Sequence, residues 1–182
     1  LHRSSYHTFP EILNFLGMSQ VNGIFLDLGL SSMQLDSESR GFAFESDGKL
    51  DMRFNGDSGE TATELIARSS DQELADIIYQ FGEERHSRKI ARSIKKISNL
   101  STVTDLKEAV RRSTPPQQRR KSLARVFQAI RIAVNGELDK LESFLDSFFD
   151  YLVIGGRVVI LSYHSLEDRM VKHAFRSLKQ SD

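Results

Sequence analysis

Apolar and polar positions along the 182 residues alternate between two kinds of period. Residues 21–28 (VNGIFLDL) form a short, nearly continuous apolar run, and residues 157–163 (RVVILSY) form a second. Runs of this length and composition predict strands buried on both sheet faces, as in parallel sheets. Elsewhere the spacing is helical. Thr8-Phe9-Pro10-Glu11 predicts a helix start, with Thr8 as cap, and Gly17 predicts its end. Ser70 and Glu73 have capping-box spacing before Leu74, Ile77, Ile78 and Phe81, and Gly82 predicts a break. Ile90, Ile94 and Ile97 mark one face of a helix over residues 83–97. Thr104 is expected to cap the next helix, which Pro115-Pro116 stops. Residues 117–122 (QQRRKS) are expected to form a basic, mobile loop.

From Leu123 onward, apolar residues recur in steps of three and four as far as Leu152. This predicts one long helix, or two in series broken at Gly136, with Gly155-Gly156 ending the helical stretch. Ser165 is expected to cap a last helix over residues 166–178, with Asp168 at the box position. The order is helix, strand, long loop, helical block, long helix, strand, helix. Alternating strands and helices predict an α/β fold, with the helical block between the strands as an insertion. The expected boundaries are a core over residues 1–56 and 136–182 and an insertion over 57–135.

Composition narrows the class. A 39% hydrophobic content suits a protein that buries a core. No apolar run is long enough to span a membrane, so no membrane association is expected. The absence of cysteine excludes disulfides, thiolate metal sites and a cysteine nucleophile, and fits a cytoplasmic location. The chain opens on Leu1 rather than methionine and is read as a fragment of a longer protein. The formal net charge of zero hides a separation: residues 83–131 hold fourteen Lys or Arg against four Asp or Glu, or +10, leaving −10 for the remainder. Such a segment suits a polyanionic partner.

Chemistry is expected at the two strand ends. Asp27 closes the first apolar run and is followed by Gly29, Ser31 and Ser32; His164 and Ser165 close the second. In a parallel sheet both clusters face one crevice, where ligands of α/β sheets bind. Asp27 is either a turn residue or a carboxylate accepting hydrogen bonds from a ligand. His164 is either a buried histidine paired with a neighbour or a proton acceptor. The loop after the first strand keeps Phe42, Phe44, Asp51 and Arg53, a composition suggesting chemistry rather than packing. The five histidines lack metal-ligand spacing, so no metal site is expected. There is no Gly-x-Gly-x-x-Gly, no phosphate loop and no Gly-x-Ser-x-Gly.

Four segments, FLDLGLSSMQLD, RGFAFESDGKLDMR, ARVFQAIRIAVNGELDKLE and GGRVVILSYHSLEDRMVK, resemble the bacterial ribosomal RNA small-subunit methyltransferase H family, in the family's order. The resemblance implies a Rossmann-like, S-adenosylmethionine-dependent methyltransferase sheet, here partial, with an inserted all-helical domain. It implies N4 methylation of a cytidine in 16S rRNA near the decoding centre. Tyr6, Asp27 and Gln34 match positions that contact the cofactor. Asp27, Ser31, Ser32 and His164 are the candidates for the catalytic centre. Arg88, Arg92, Arg119, Arg120 and Lys121 are the candidates for holding rRNA phosphates in the small subunit. The departures are Met33 and Lys49 where the family has proline, and Tyr163 where it has phenylalanine. The family's glycine-rich loop and ribose-binding acid would precede Tyr6, and its basic C-terminal segment would follow the last helix. The isolated chain is therefore expected to bind cofactor poorly and to be inactive. A non-catalytic rRNA-binding or ribosome-assembly protein on the same fold is the alternative. A homodimer is one arrangement the sequence leaves open.

Overall fold

The computed structural model describes residues 1–30 and 40–180, and the chain divides into two compact units. The first comprises Leu1–Gly29 and Glu137–Asp182, the second Leu30–Gly136.

The first unit contains the sheet. Helix α1 (Phe9–Phe15) ends at Leu16, and Gly17 follows at φ +68°, as its glycine predicted. Thr8 stands at the cap position but makes no cap bond; its hydroxyl donates to the Ser5 carbonyl instead. Strand β1 (Val21–Asp27) pairs in parallel with β2 (Leu152–Leu161). Gly155-Gly156 does not end a helix; it lies within β2. The register shifts between Val21, opposite Leu152, and Gly23, opposite Arg157, so the glycines occupy an irregularity in the ladder. Beyond it the pairing is regular, up to Asp27 opposite Leu161.

Helices α7 (Glu137–Ser147) and α8 (Ser165–Gln180) belong to the same unit. Leu26 and Leu28 pack in one core with Leu141, Phe144, Leu145 and Phe148, joined by Ile24, Val158, Ile160, Met170 and Val171. The opposite sheet face is open: Phe25 is 67% exposed, with Val159 beside it at 49%. The apolar runs predicted cover on both faces. Within the described residues only one face is covered, because alternate side chains of a strand point to opposite sides and the packed helices reach one of them.

The second unit is mostly helical, with α2 (Ala62–Arg68), α3 (Asp71–Gly82), α4 (Ser87–Lys95), α5 (Val103–Ser113) and α6 (Arg119–Asn135). The Ser70–Glu73 capping box forms as its spacing predicted. The cap of α5 is Thr102, reciprocated by Asp105, not Thr104, whose hydroxyl donates to Asp47. Residues 119–122 are not a loop but the first turn of α6. The long helical pattern resolves into two helices at Gly136, which is left-handed at φ +58°.

This unit begins at Leu30, earlier than the boundary at residue 57 that the sequence suggested. The physical reason is burial: Phe42, Leu50 and Met52 lie in the same core as Ile78, Ile90, Ile94 and Ile130. Asn135 holds the loop, donating to the Met52 carbonyl at 2.8 Å and accepting from the Phe54 amide at 2.7 Å. Met52 is fully buried at φ +61°, a conformation that a packed surround must enforce. Asp51 and Arg53 pair with each other through two 2.8 Å bonds, which hold the Asp51 carboxyl below the usual range. Phe42, Phe44, Asp51 and Arg53 thus pack and brace this unit, contrary to the chemical role their composition suggested.

Helix α3 ends at Gly82, the break its glycine predicted, and the left-handed residue that follows is Glu83, at φ +50°. Gly82 also permits close helix packing, since a Cβ there would sit 2.5 Å from the Arg125 carbonyl oxygen on α6. Gly82→Ala should force α3 from α6 and destabilise the protein by about 1–3 kcal/mol, read from the midpoint of denaturant unfolding.

Candidate active site at the strand ends

The parallel register brings the carboxyl ends of β1 and β2 level. The Leu28 amide extends the ladder by donating to the Leu161 carbonyl at 3.1 Å. Asp27 therefore projects from the open sheet face at the last paired position. The chain turns at Gly29, φ +92°, where a Cβ would lie 3.4 Å from the Tyr163 ring. The left-handed turn sets the chain against the ring, which reaches back across it. The Tyr163 hydroxyl donates to Asp27 Oδ1 at 2.8 Å, and this bond raises the phenol above its ordinary range.

Tyr163 is in turn held by α8. Its amide donates to Glu167 Oε2 at 3.0 Å. The Glu167 amide donates to His164 Nδ1 at 3.4 Å, so His164 receives an otherwise unpaired amide at the helix start. With Nδ1 accepting, the ring proton sits on Nε2, which faces Glu167 Oε1 at 3.2 Å. The approach is off the N–H direction, making this a close polar contact rather than a directed hydrogen bond. Burial pushes the Glu167 carboxyl up, but the His164 contact and the Tyr163 amide outweigh it, and the net direction is down.

Glu137, at the start of α7, completes a buried cluster. Ligand atoms of Glu137, His164 and Glu167 lie within 4.8 Å of one another, a spacing that could bridge a cation. The tautomer argues otherwise, because the ring presents a proton to the carboxylates rather than a lone pair to a metal. Tyr6 joins through Glu137, its hydroxyl donating to the Glu137 carbonyl at 3.4 Å. Burial, then the Glu137 and Glu167 charges, raise the Tyr6 phenol strongly, so it stays a neutral donor. Its ring meets Phe144 edge-on at 6.0 Å.

Asp27 and His164 are therefore linked through Tyr163 and Glu167, and Tyr6 lies in the same unit. Ser31, Ser32 and Gln34 lie outside the described residues. The sequence expectations missed Tyr163, Glu137 and Glu167 as parts of this cluster. The signal available was Glu167 three residues after His164, at capping-box spacing.

Over residues 1–182 the chain matches the MraW methylase family. The chain belongs to that family. It is 48% identical over 181 residues to the ribosomal RNA small subunit methyltransferase H of Thermosipho africanus, covering 97% of this chain and 62% of that protein. The methyltransferase of the same name from Sorangium cellulosum is 51% identical over 176 residues, covering 92% and 56%. That from Acinetobacter baumannii strain SDF is 48% identical over 170 residues, covering 93% and 55%. The chain thus spans little more than half the length of these relatives. The strand-end carboxylate lies at the carboxyl end of a parallel strand pair, where ligands of open α/β sheets bind. No helix among the described residues is long and apolar enough to cross a membrane.

Glu167 is the keystone of the cluster. Glu167→Ala should strip the Tyr163 amide and His164 of their shared acceptor and cost about 3 kcal/mol in denaturant unfolding. Because its folded-state carboxyl is depressed, the stabilising contribution is full above the ordinary carboxylate range and fades as pH falls through the lowered value. The gap between wild type and a Glu167→Gln variant should accordingly narrow in acid.

Proposed function

We propose that this chain forms part of an S-adenosylmethionine-dependent methyltransferase acting on N4 of a cytidine in 16S rRNA near the decoding centre. The observation that carries this is Asp27: an exposed carboxylate at the end of β1, held by Tyr163. Family membership and the names of the relatives support methyl transfer to small-subunit rRNA. The 182 residues by themselves are proposed to be inactive, consistent with their covering 62% and 56% of two relatives.

The bound cofactor would supply an electrophilic methyl group on a sulfonium. The donor set suits such a group, because Asp27 offers a carboxylate and, among the described residues, only Oδ1 is engaged. Tyr6 and Gln34 are proposed to help hold it. Asp27 would accept hydrogen from the cytosine amine, whose lone pair is otherwise delocalised into the ring. That contact favours a pyramidal nitrogen and stabilises the positive charge developing there. Ser31 and Ser32 are proposed as further acceptors. His164 is assigned a positioning role, since its ring is engaged with Glu167. The target base must leave its stack to reach a strand-end site.

Residues 57–135 are proposed to bind RNA, within the helical unit. Arg88 and Arg92 are exposed one turn apart on α4. Arg119, Arg120 and Lys121 are exposed in the first turn of α6, which carries no acid. Cations there oppose the helix dipole, an unfavourable placement that a polyanion relieves. Lys95 is different: its ammonium is engaged by the Ile66 and Ala67 carbonyls.

In a full-length methyltransferase carrying this segment, Asp27→Ala should abolish N4 methylation by mass spectrometry of recovered rRNA. Undiminished methylation contradicts the assignment; salt-sensitive RNA binding without any methyl transfer by the unmutated protein favours a non-catalytic assembly role. Replacing both Arg88 and Arg92 by alanine should weaken RNA binding irrespective of sequence. In titrations across salt, the slope should fall by about one for each phosphate no longer neutralised.

A further inference from the structure

The Tyr163–Asp27 bond is built with more care than its stability value warrants. Tyr163 is 68% exposed and Asp27 is exposed, so one hydrogen bond there adds little to folding. Yet three separate features bring it about. The parallel register sets Asp27 opposite Leu161, two residues before Tyr163. Gly29, left-handed at φ +92°, turns the chain beside the ring, within 3.4 Å of where a Cβ would lie. The buried Glu167 carboxylate accepts the Tyr163 amide and so fixes the backbone from which the ring projects.

We propose that Tyr163 is a positioning residue for methyl transfer: its hydroxyl commits Asp27 Oδ1, fixes the plane of the carboxylate and presents Oδ2 to the ligand. This rests on the proposed role of Asp27. A phenol suits the task. It donates a single hydrogen bond without neutralising the carboxylate, as lysine or arginine would. A phenol keeps its proton throughout the neutral range, and the bond to Asp27 raises it further. Without it, an exposed carboxylate turns freely, and that freedom must be lost again in every turnover.

The variant Tyr163→Phe isolates the hydroxyl, because the ring over Gly29 remains. In a full-length methyltransferase carrying this segment, kcat should fall about three- to tenfold, with KM for cofactor and RNA and the melting temperature unchanged. A readout independent of activity accompanies it. With tyrosine labelled at Cζ, the Tyr163 resonance should titrate above free tyrosine in the unmutated protein and return toward it in Asp27→Ala. An unchanged kcat in Tyr163→Phe, or a Tyr163 that ionises like free tyrosine, overturns the positioning role. Undiminished methylation by Asp27→Ala instead overturns the proposed function, while the resonance still reports whether the bond exists.

Discussion

The parallel ladder between β1 and β2 is the contact on which the site depends. Asp27 and Tyr163 are far apart in sequence, and nothing local draws them together. The register does so: once Ile24 meets Val158 and Leu26 meets Ile160, Asp27 must meet Leu161, and the two chain exits leave the sheet side by side. Burial of Ile24, Leu26, Val158 and Ile160 in one core enforces that register. A slip by one residue would turn this row outward and carry Asp27 into the apolar side.

Electrostatics then works outward from the buried end of α8. Glu167 is nearly inaccessible, and its lost hydration is offset by His164 and by the Tyr163 amide. A buried carboxylate so engaged cannot move without leaving partners unsatisfied, which makes it a rigid anchor. Tyr163 carries that rigidity to the surface, where Asp27 meets solvent. The ordered, buried part of the cluster thus serves an exposed carboxylate that has no burial of its own to hold it.

Much of this was legible in the sequence. Both strands, the helix breaks at Gly17 and Gly136, and the Ser70 capping box follow from local spacing, and the structure has each. Asp27 and His164 stood out because each closes an apolar run. The departures came where a distant partner decides. Gly155-Gly156 signalled a helix end but lies in a strand, because the irregular ladder accepts an unpaired stretch. Gly82 signalled the break at which α3 ends, but not the close approach of Arg125, which no local pattern records. Phe42, Asp51 and Arg53 suggested chemistry because their loop has no period; their order comes from Asn135 and from a core assembled by remote helices. Tyr163 was visible only as a departure from phenylalanine, and its hydroxyl gained meaning when the register placed Asp27 beneath it.

The strand-end carboxylate, fixed by Tyr163, is the group that faces the reacting atoms in the proposed function. The most direct measurement is a crystal structure of a full-length methyltransferase carrying this segment, with S-adenosylmethionine and a cytidine-containing RNA bound. The cytosine amine should lie within hydrogen-bond distance of Asp27 Oδ2, with Tyr163 still on Oδ1. A base bound away from the carboxyl ends of β1 and β2, with Asp27 facing only solvent, would contradict this role.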